Sequence, residues 1–227
     1  MISVVIPALN EAERLPGLLA ALACQPLLRE VIVVDGGSRD TTPALARAGG
    51  AVVLETAAGR GRQLRHGAAA ARGEVILFLH ADSIFPETGL GRIAERLAAR
   101  PELVGGNFRI VFDGEDGFSR WLTGFYAWFR RRGLYYGDSG IFVRRRVYEA
   151  LGGIRPIALM EDYDFGRRLE RYGPTCCIEE APLVSSSRRF AGRHPAAIVA
   201  GWLWLHVLYY LGVSPETLAR LYRSARS

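Results

Sequence analysis

Apolar residues in this chain alternate between short unbroken runs and helical stripes. Residues 31–34, 51–54 and 75–79 are runs of four or five apolar positions, rich in Val and Ile, and residues 2–6 are a similar run interrupted only by Ser3. Runs of that length bounded by Gly, Pro or Asp read as buried strands. Between them, residues 11–22, a stretch from about 41, residues 63–71 and residues 87–99 carry helical spacing, the last stopping before Pro101. Asn10 is placed to cap the first of these helices. Alternation of this kind predicts βαβ units, hence an α/β fold with a mostly parallel central sheet and helices on both faces. After residue 100 the alternation loosens. Residues 104–112 read as a longer strand, 118–129 as an aromatic helix, 140–144 as a short strand and 161–172 as a helix. No repeat, low-complexity tract or linker interrupts the chain, so one domain with a specialised second half is expected.

The last apolar stretch, residues 196–213, is broken only by His206 and carries Trp202, Trp204, Tyr209 and Tyr210. A spanning helix needs about 20 apolar residues, and Trp and Tyr favour the headgroup region. Three readings stay open: a helix lying in a membrane interface, a core or dimer helix, and a short span. Arg220, Arg223 and Arg226 follow on a further short helix and would meet lipid phosphates in the first reading.

Composition narrows the partners. The chain has 227 residues, 49% hydrophobic and 23% charged, which is globular and enough for a full core. All its basic residues are arginine, which rules out a P-loop lysine and a lysine Schiff base. The net charge of +6 favours anionic partners such as a nucleotide, a phosphorylated lipid or a membrane surface; no nucleic-acid partner is expected. Three cysteines, two of them adjacent at Cys176 and Cys177, make neither a disulfide framework nor a zinc site. The opening residues lack the basic flank and length of a signal peptide. A reducing, cytoplasmic location follows as an expectation.

The candidate chemistry gathers where strands end, which is where open α/β sheets bind ligands. Pro7-Ala8-Leu9-Asn10-Glu11 closes the first strand; Pro7 suits a strand exit, and Asn10 and Glu11 face the ligand edge or cap the helix. Asp35-Gly36-Gly37-Ser38-Arg39-Asp40 follows the second strand, with Asp35 set to accept hydrogen bonds from a base or ribose and Asp40 to cap the next helix. Gly59-Arg60-Gly61-Arg62-Gln63-Leu64-Arg65 combines glycine, arginine and a helix start, a combination suited to an anion, with Arg62 and Arg65 as its candidate ligands. Phe78-Leu79-His80-Ala81-Asp82 ends the fourth strand with a carboxylate placed to hold a divalent cation. In the second half come Gly137-Asp138-Ser139-Gly140 and Met160-Glu161-Asp162-Tyr163-Asp164. Glu161, Asp162 and Asp164 open one helix, and at most two of them can face a cleft. A polar, basic loop at Ser185-Ser186-Ser187-Arg188-Arg189-Phe190 completes the set.

With these clusters in place the chain resembles family 2 glycosyltransferases of the GT-A fold, the nucleotide-diphospho-sugar transferase fold. Residues 4–11 look like that family's first motif and residues 33–42 like its second. His80-Ala81-Asp82 falls where the family carries its Asp-x-Asp metal motif. Glu161-Asp162 matches the Glu-Asp motif that supplies the catalytic base, and Ser187-Arg188-Arg189-Phe190 is similar to the Gln-x-x-Arg-Trp motif of processive relatives. More narrowly, Phe78 to Asp82 together with Gly137 to Gly140 resembles a bacterial subgroup named as radical-SAM/selenodomain-associated and linked to arsenosugar biosynthesis. Departures are informative. His80 replaces the first metal-motif aspartate; a neutral imidazole suits Mn²⁺ better than Mg²⁺, or it hydrogen-bonds the ribose and leaves Asp82 as the main ligand. Arg65 stands at a usual asparagine, and Ser and Phe replace the Gln and Trp of the last motif, which argues against processive synthesis.

The resemblance implies an inverting glycosyltransferase that uses a nucleotide-diphospho-sugar donor and Mn²⁺ or Mg²⁺. Residues 1–190 would form the transferase domain, 1–100 its nucleotide-binding half and 101–190 its acceptor and catalytic half. Residues 191–227 would form aromatic helices at a membrane interface. It places Pro7, Asn10, Glu11, Asp35, Arg62, Arg65, His80, Asp82, Asp138, Arg188 and Arg189 around the donor, His80 and Asp82 on the metal, and Asp162 with Glu161 at the base. The acceptor is unspecified, with a lipid-linked one, a site at the inner face of the membrane and a homodimer all compatible. Two rivals remain: a sugar nucleotidyltransferase, which would carry a glycine-rich basic motif after the first strand, and a non-catalytic nucleotide-binding or membrane-interaction module.

Overall fold

The structure is a computed structural model that describes residues 1–187, 190 and 194–224, with side chains through 222. Strands β1 (Ile2–Ala8), β2 (Leu28–Asp35), β3 (Val52–Glu55) and β4 (Val75–Phe78) alternate with helices α1 (Leu15–Ala23), α2 (Thr42–Ala48), α3 (Arg60–Ala70) and α4 (Gly89–Ala99). The second half runs β5 (Gly105–Phe112), α5 (Gly117–Arg130), a 3₁₀ turn (Gly137–Ser139), β6 (Ile141–Arg144), α6 (Arg145–Ala150), α7 (Glu161–Tyr172), β7 (Thr175–Ser185), α8 (Pro195–Tyr210) and α9 (Pro215–Ser224). The strands form one sheet in the order β3-β2-β1-β4-β6-β5-β7. The predicted α/β architecture with a mostly parallel sheet is what forms.

Two features of this order position the site. Strand order reverses between β1 and β4, a topological switch point that opens a crevice at the carboxyl ends. β6 then runs antiparallel to β4, with Phe78 opposite Ile141. The start of β6, not its end, therefore lies on the ligand edge, and the 3₁₀ turn before it sits beside His80. β5 and β7 are parallel to each other and pair from Gly105↔Thr175 to Phe112↔Ser185, which brings Asp113 and Ser187 to the same edge. There the Ser187 N–H and hydroxyl donate to Asp113 Oδ1 at 2.7 and 2.6 Å.

Each strand side feeds a separate core because successive side chains point to opposite faces. Val4, Ile6, Val33, Leu77 and Leu79 pack under α1 and α4 with Leu15, Leu22, Leu90 and Ile93. Val5, Ile32, Val34, Ile76 and Phe78 pack under α3 and α7 with Leu64, Phe165 and Leu169. Burial on both faces explains the apolar runs of β1, β2 and β4; β3, expected to be buried, is a sheet edge with Val52 exposed. A third cluster, Ile110, Phe112, Leu122, Tyr126, Phe190 and Ile198, joins α5 and α8 over the end of β5.

The structure corrects several boundaries. α1 begins at Leu15 rather than residue 11, and Asn10 does not cap it: it has φ +56° and its side chain reaches the β2 loop. α3 begins at Arg60 rather than Gln63. β7 and α6 were not expected. β7 carries Glu179, Glu180 and Pro182, and an edge strand tolerates Pro because one side of it needs no ladder bonds. α8 has 16 residues, about 24 Å at 1.5 Å per residue, and no helix among the described residues is long and apolar enough to cross a membrane. That removes the spanning reading.

Candidate active site

The loops after β1 and β2 are sewn together. The Asn10 N–H donates to Ser38 Oγ and Asn10 Oδ1 accepts from the Arg39 N–H, both at 2.8 Å. The Glu11 N–H donates to Thr42 Oγ1 at 2.8 Å. Asp35 is buried and spends its oxygens on its own loop: Oδ2 accepts from the N–H groups of Gly37 and Ser38 at 2.9 Å, and Oδ1 from the Ser38 hydroxyl at 2.5 Å. It shapes the loop as much as it offers an acceptor. Asp40 takes the Thr42 N–H at 3.0 Å and so caps the start of α2 from just outside. Pro7 lies beyond the last β1 residue paired to β4, so its missing N–H costs nothing there. Gln63, buried, donates to the carbonyls of Ala8 and Val34 at 2.9 and 2.8 Å and ties α3 beneath both loops.

The centre of the cleft is Arg60. Its Nε donates to Glu161 Oε1, its Nη2 to Asp162 Oδ2 at 3.0 Å, and its Nη1 lies 3.4 Å from His80 Nε2. Glycine makes this approach possible: a Cβ on Gly61 would stand 2.8 Å from the Arg155 carbonyl oxygen and 3.1 Å from the Glu161 Cβ. The first turns of α3 and α7 can therefore touch. Met160, with φ +67° at the start of α7, holds a left-handed conformation that costs a non-glycine residue energy. That conformation aims Glu161 and Asp162 together into the cleft. Asp162 also accepts from the Gly137 N–H at 2.8 Å and, through Oδ1, from the Tyr163 N–H at 2.7 Å. Asp138 Oδ2 accepts from the Tyr126 hydroxyl at 3.1 Å. Asp164 turns the other way, to Arg155 and Arg168 at 3.1 and 2.9 Å. Two of the three carboxylates opening α7 face the cleft, as the helical geometry predicts.

Electrostatics assign charge states. Burial and then the Arg60 charge push the His80 imidazole below its ordinary value, against the pull of Asp138, Asp82 and Asp162. His80 is therefore neutral at pH 7. Arg60 reaches both His80 Nε2 and Asp162 Oδ2, so the end of β4, where Asp82 stands two residues after His80, and the start of α7 border one cleft. Burial pushes the Asp162 carboxyl up, but Arg60, the Gly137 N–H, His80 and the Tyr163 N–H together hold it below the usual range. Burial dominates at Glu161 and raises it. Burial opposes the charge on Arg60, yet Asp162, Glu161 and Asp138 keep it firmly protonated.

A divalent cation fits Asp82 better than His80. The His80 Nε2 faces a guanidinium nitrogen at 3.4 Å, so an ion on that nitrogen would lie against a like charge. Asp82 is half-buried at the strand tip. Among the described residues no three His, Cys, Asp or Glu side chains stand together as a metal cluster.

Arg62 and Arg65 do not join the site. Arg62 is exposed, and Arg65 reaches the Ile154 carbonyl at 3.5 Å. Helix phase explains this: of the three arginines in the cluster, only Arg60 opens the helix beside α7. Arg188 and Arg189 lie outside the described residues. The sequence reading missed Arg60, although the glycines flanking it were a legible sign of close approach. It also missed Tyr136, whose hydroxyl pairs with His206 Nε2 at 2.9 Å, and Tyr163, whose hydroxyl pairs with that of Tyr210 at 2.6 Å. Both contacts tie α8 to the cleft.

Known structures share this fold. A mannosyltransferase from Pyrobaculum calidifontis, solved with GDP-mannose and Mn²⁺, superposes with a TM-score of 0.67 at 20% identity over 99% of this chain and 73% of that one. A glucosyl-3-phosphoglycerate synthase from Mycobacterium tuberculosis, solved with Mn²⁺, UDP-glucose and phosphoglyceric acid, gives 0.59 at 22% identity over 82% and 71%. These likenesses establish the GT-A fold. The undecaprenyl-phosphate 4-deoxy-4-formamido-L-arabinose transferase of Pseudomonas paraeruginosa is 35% identical over 117 residues, 46% of this chain and 34% of that protein. The chain thus spans a third to a half of the curated relatives it matches. The family model for glycosyl transferase family 2 covers residues 3–150, well over half the chain, and the chain belongs to that family.

Proposed function

We propose that this glycosyltransferase inverts the anomeric carbon of a nucleotide-diphospho-sugar donor, with Asp162 as general base and Asp82 as the protein ligand of Mn²⁺ or Mg²⁺. The observation that carries the reading is that Arg60 spans His80 at the end of β4 and Asp162 at the start of α7, at the switch point of the sheet. The acceptor oxygen attacks C1 on the face opposite the diphosphate, the C1–O bond breaks with its electron pair going to the diphosphate, and the acceptor proton passes to Asp162. A carboxylate held ionised by Arg60 is available for that proton. Bound to Asp82, the cation would neutralise charge on the leaving diphosphate as a Lewis acid. Neutral His80 is left to hydrogen-bond the ribose, and Asn10, Glu11 and the Asp35 loop to enclose the nucleoside. Asp138 orients the donor sugar or the acceptor hydroxyl.

Two observations support a lipid-linked acceptor met at a membrane surface. α8 turns His206 inward against Tyr136 and Tyr163 and exposes Leu203, Trp204, Val207 and Leu211 along another face. A relative is named for transfer to undecaprenyl phosphate. The narrower arsenosugar-type resemblance adds no acceptor. The test is product analysis with mixed nucleotide sugars and Mn²⁺. Release of nucleoside diphosphate, lost with EDTA and in Asp82→Ala, supports the reading. Release of pyrophosphate would favour nucleotidyl transfer, and no turnover of any donor would favour a binding module.

A further inference from the structure

We infer that Arg60 is a positioning residue that selects Asp162 Oδ1 as the proton-accepting atom, an inference that rests on the base assignment above. An ionised carboxylate offers about four lone-pair sites, two on each oxygen. Asp162 Oδ2 has both of its sites taken, one by the Gly137 N–H at 2.8 Å and one by Arg60 Nη2 at 3.0 Å. Among the described residues Oδ1 accepts only from the Tyr163 N–H at 2.7 Å, and it keeps the uncommitted lone pair there. The acceptor O–H proton moves to that lone pair as the O–C1 bond forms and the diphosphate departs with the C1–O electrons.

The geometry requires arginine. One guanidinium reaches Glu161 through Nε and Asp162 through Nη2, and its third nitrogen abuts His80. A planar fork locks the carboxylate plane, whereas a lysine ammonium gives one point charge without fixed direction. Without the fork, Oδ2 regains a free lone pair and the carboxylate can turn about its χ2 bond. Misplacing a catalytic group by about 1 Å costs on the order of 10² in rate.

The experiment compares wild type, Arg60→Gln and Arg60→Lys in release of UDP from UDP-sugars and GDP from GDP-sugars, with Mn²⁺. Thermal melting and stoichiometry of UDP or GDP binding normalise each variant to folded sites. The expected result is a kcat lower by about 10² in Arg60→Gln with donor KM within about threefold, and partial recovery of kcat in Arg60→Lys. A merely structural role would lower the folded fraction and leave kcat per folded site unchanged; that result overturns the inference. A change confined to donor KM also overturns it, because Arg60 would then act on the donor. A wild type that turns over no donor removes the base assignment and this inference together, whereas an active wild type matched by Arg60→Gln removes this inference alone.

Discussion

Replacing Asp162 with asparagine keeps the shape of the side chain and removes its basicity, so it isolates the proton-accepting step. Every neighbour of this carboxylate is a donor: the Gly137 N–H, Arg60 Nη2 and the Tyr163 N–H. The new amide can place its oxygen where two donors converge, at the Oδ2 position. Its NH₂ then faces the Tyr163 N–H, donor against donor. Leaving that buried N–H without an acceptor costs about 1–3 kcal/mol, or about 2–4 °C of melting temperature per kcal/mol in a domain of this size. Loss of a positioned general base lowers the rate by about 10²–10⁴, equivalent to about 3–5 kcal/mol of barrier at 1.36 kcal/mol per tenfold. Steady-state release of nucleoside diphosphate at saturating donor measures the rate. Calorimetric titration with the diphosphate measures binding, which should stay nearly intact because none of the three donors belongs to the β1 and β2 loops. A folded Asp162→Asn protein retaining transfer within tenfold of wild type refutes the assignment of the base.

Gly137→Ala would set a Cβ 3.0 Å from Asp162 Oδ2 and 3.2 Å from His80 Nε2; transfer should fall at least tenfold with a small change in melting, and full activity would show the turn has slack. His80 has a depressed folded-state pKa, so the unfolded chain binds more protons near pH 6. Stability from its neutral burial is fully present above about pH 6.5 and is lost as pH falls below that value. Melting temperature should drop between pH 7.5 and 5, and His80→Gln should flatten that slope; an equal slope in the variant would point to other groups. Substituting Leu203, Trp204 and Leu211 with Ser should abolish flotation with anionic liposomes while leaving melting unchanged, since all three are exposed. Unaltered flotation would refute the interfacial role, and loss of a dimer in its place would assign the stripe to self-association.

The first hundred residues were legible because each strand there carries a short, nearly continuous apolar run. Asp82 stands out for the same reason, a carboxylate where an apolar run stops; Asp162 could be named through the resemblance to the Glu-Asp motif and Asp138 from its place in a glycine-flanked cluster. What joins them was not legible. Arg60 and Arg62 look alike along the chain, and only the phase of α3 and the contact allowed by Gly61 decide which one reaches Glu161. Asp35 was read as a ligand group, but its oxygens close a loop whose Ser38 is recruited from three residues on. β7 escaped because an edge strand with one ladder needs neither an unbroken apolar run nor freedom from proline. α8 looked separable from the catalytic half, since nothing local announces that Tyr136 and Tyr163 will pair with its His206 and Tyr210.

Those tyrosine contacts give α8 a grip on Tyr163, the residue directly after Asp162. Binding free energies obey reciprocity: if engagement of the outer stripe of α8 changes how tightly the cleft holds nucleotide, then filling the cleft must change the grip on the surface by the same factor. A protein loaded with donor and one emptied of product would then differ in how long they dwell at a bilayer, and residence itself would report which step of the cycle the molecule has reached.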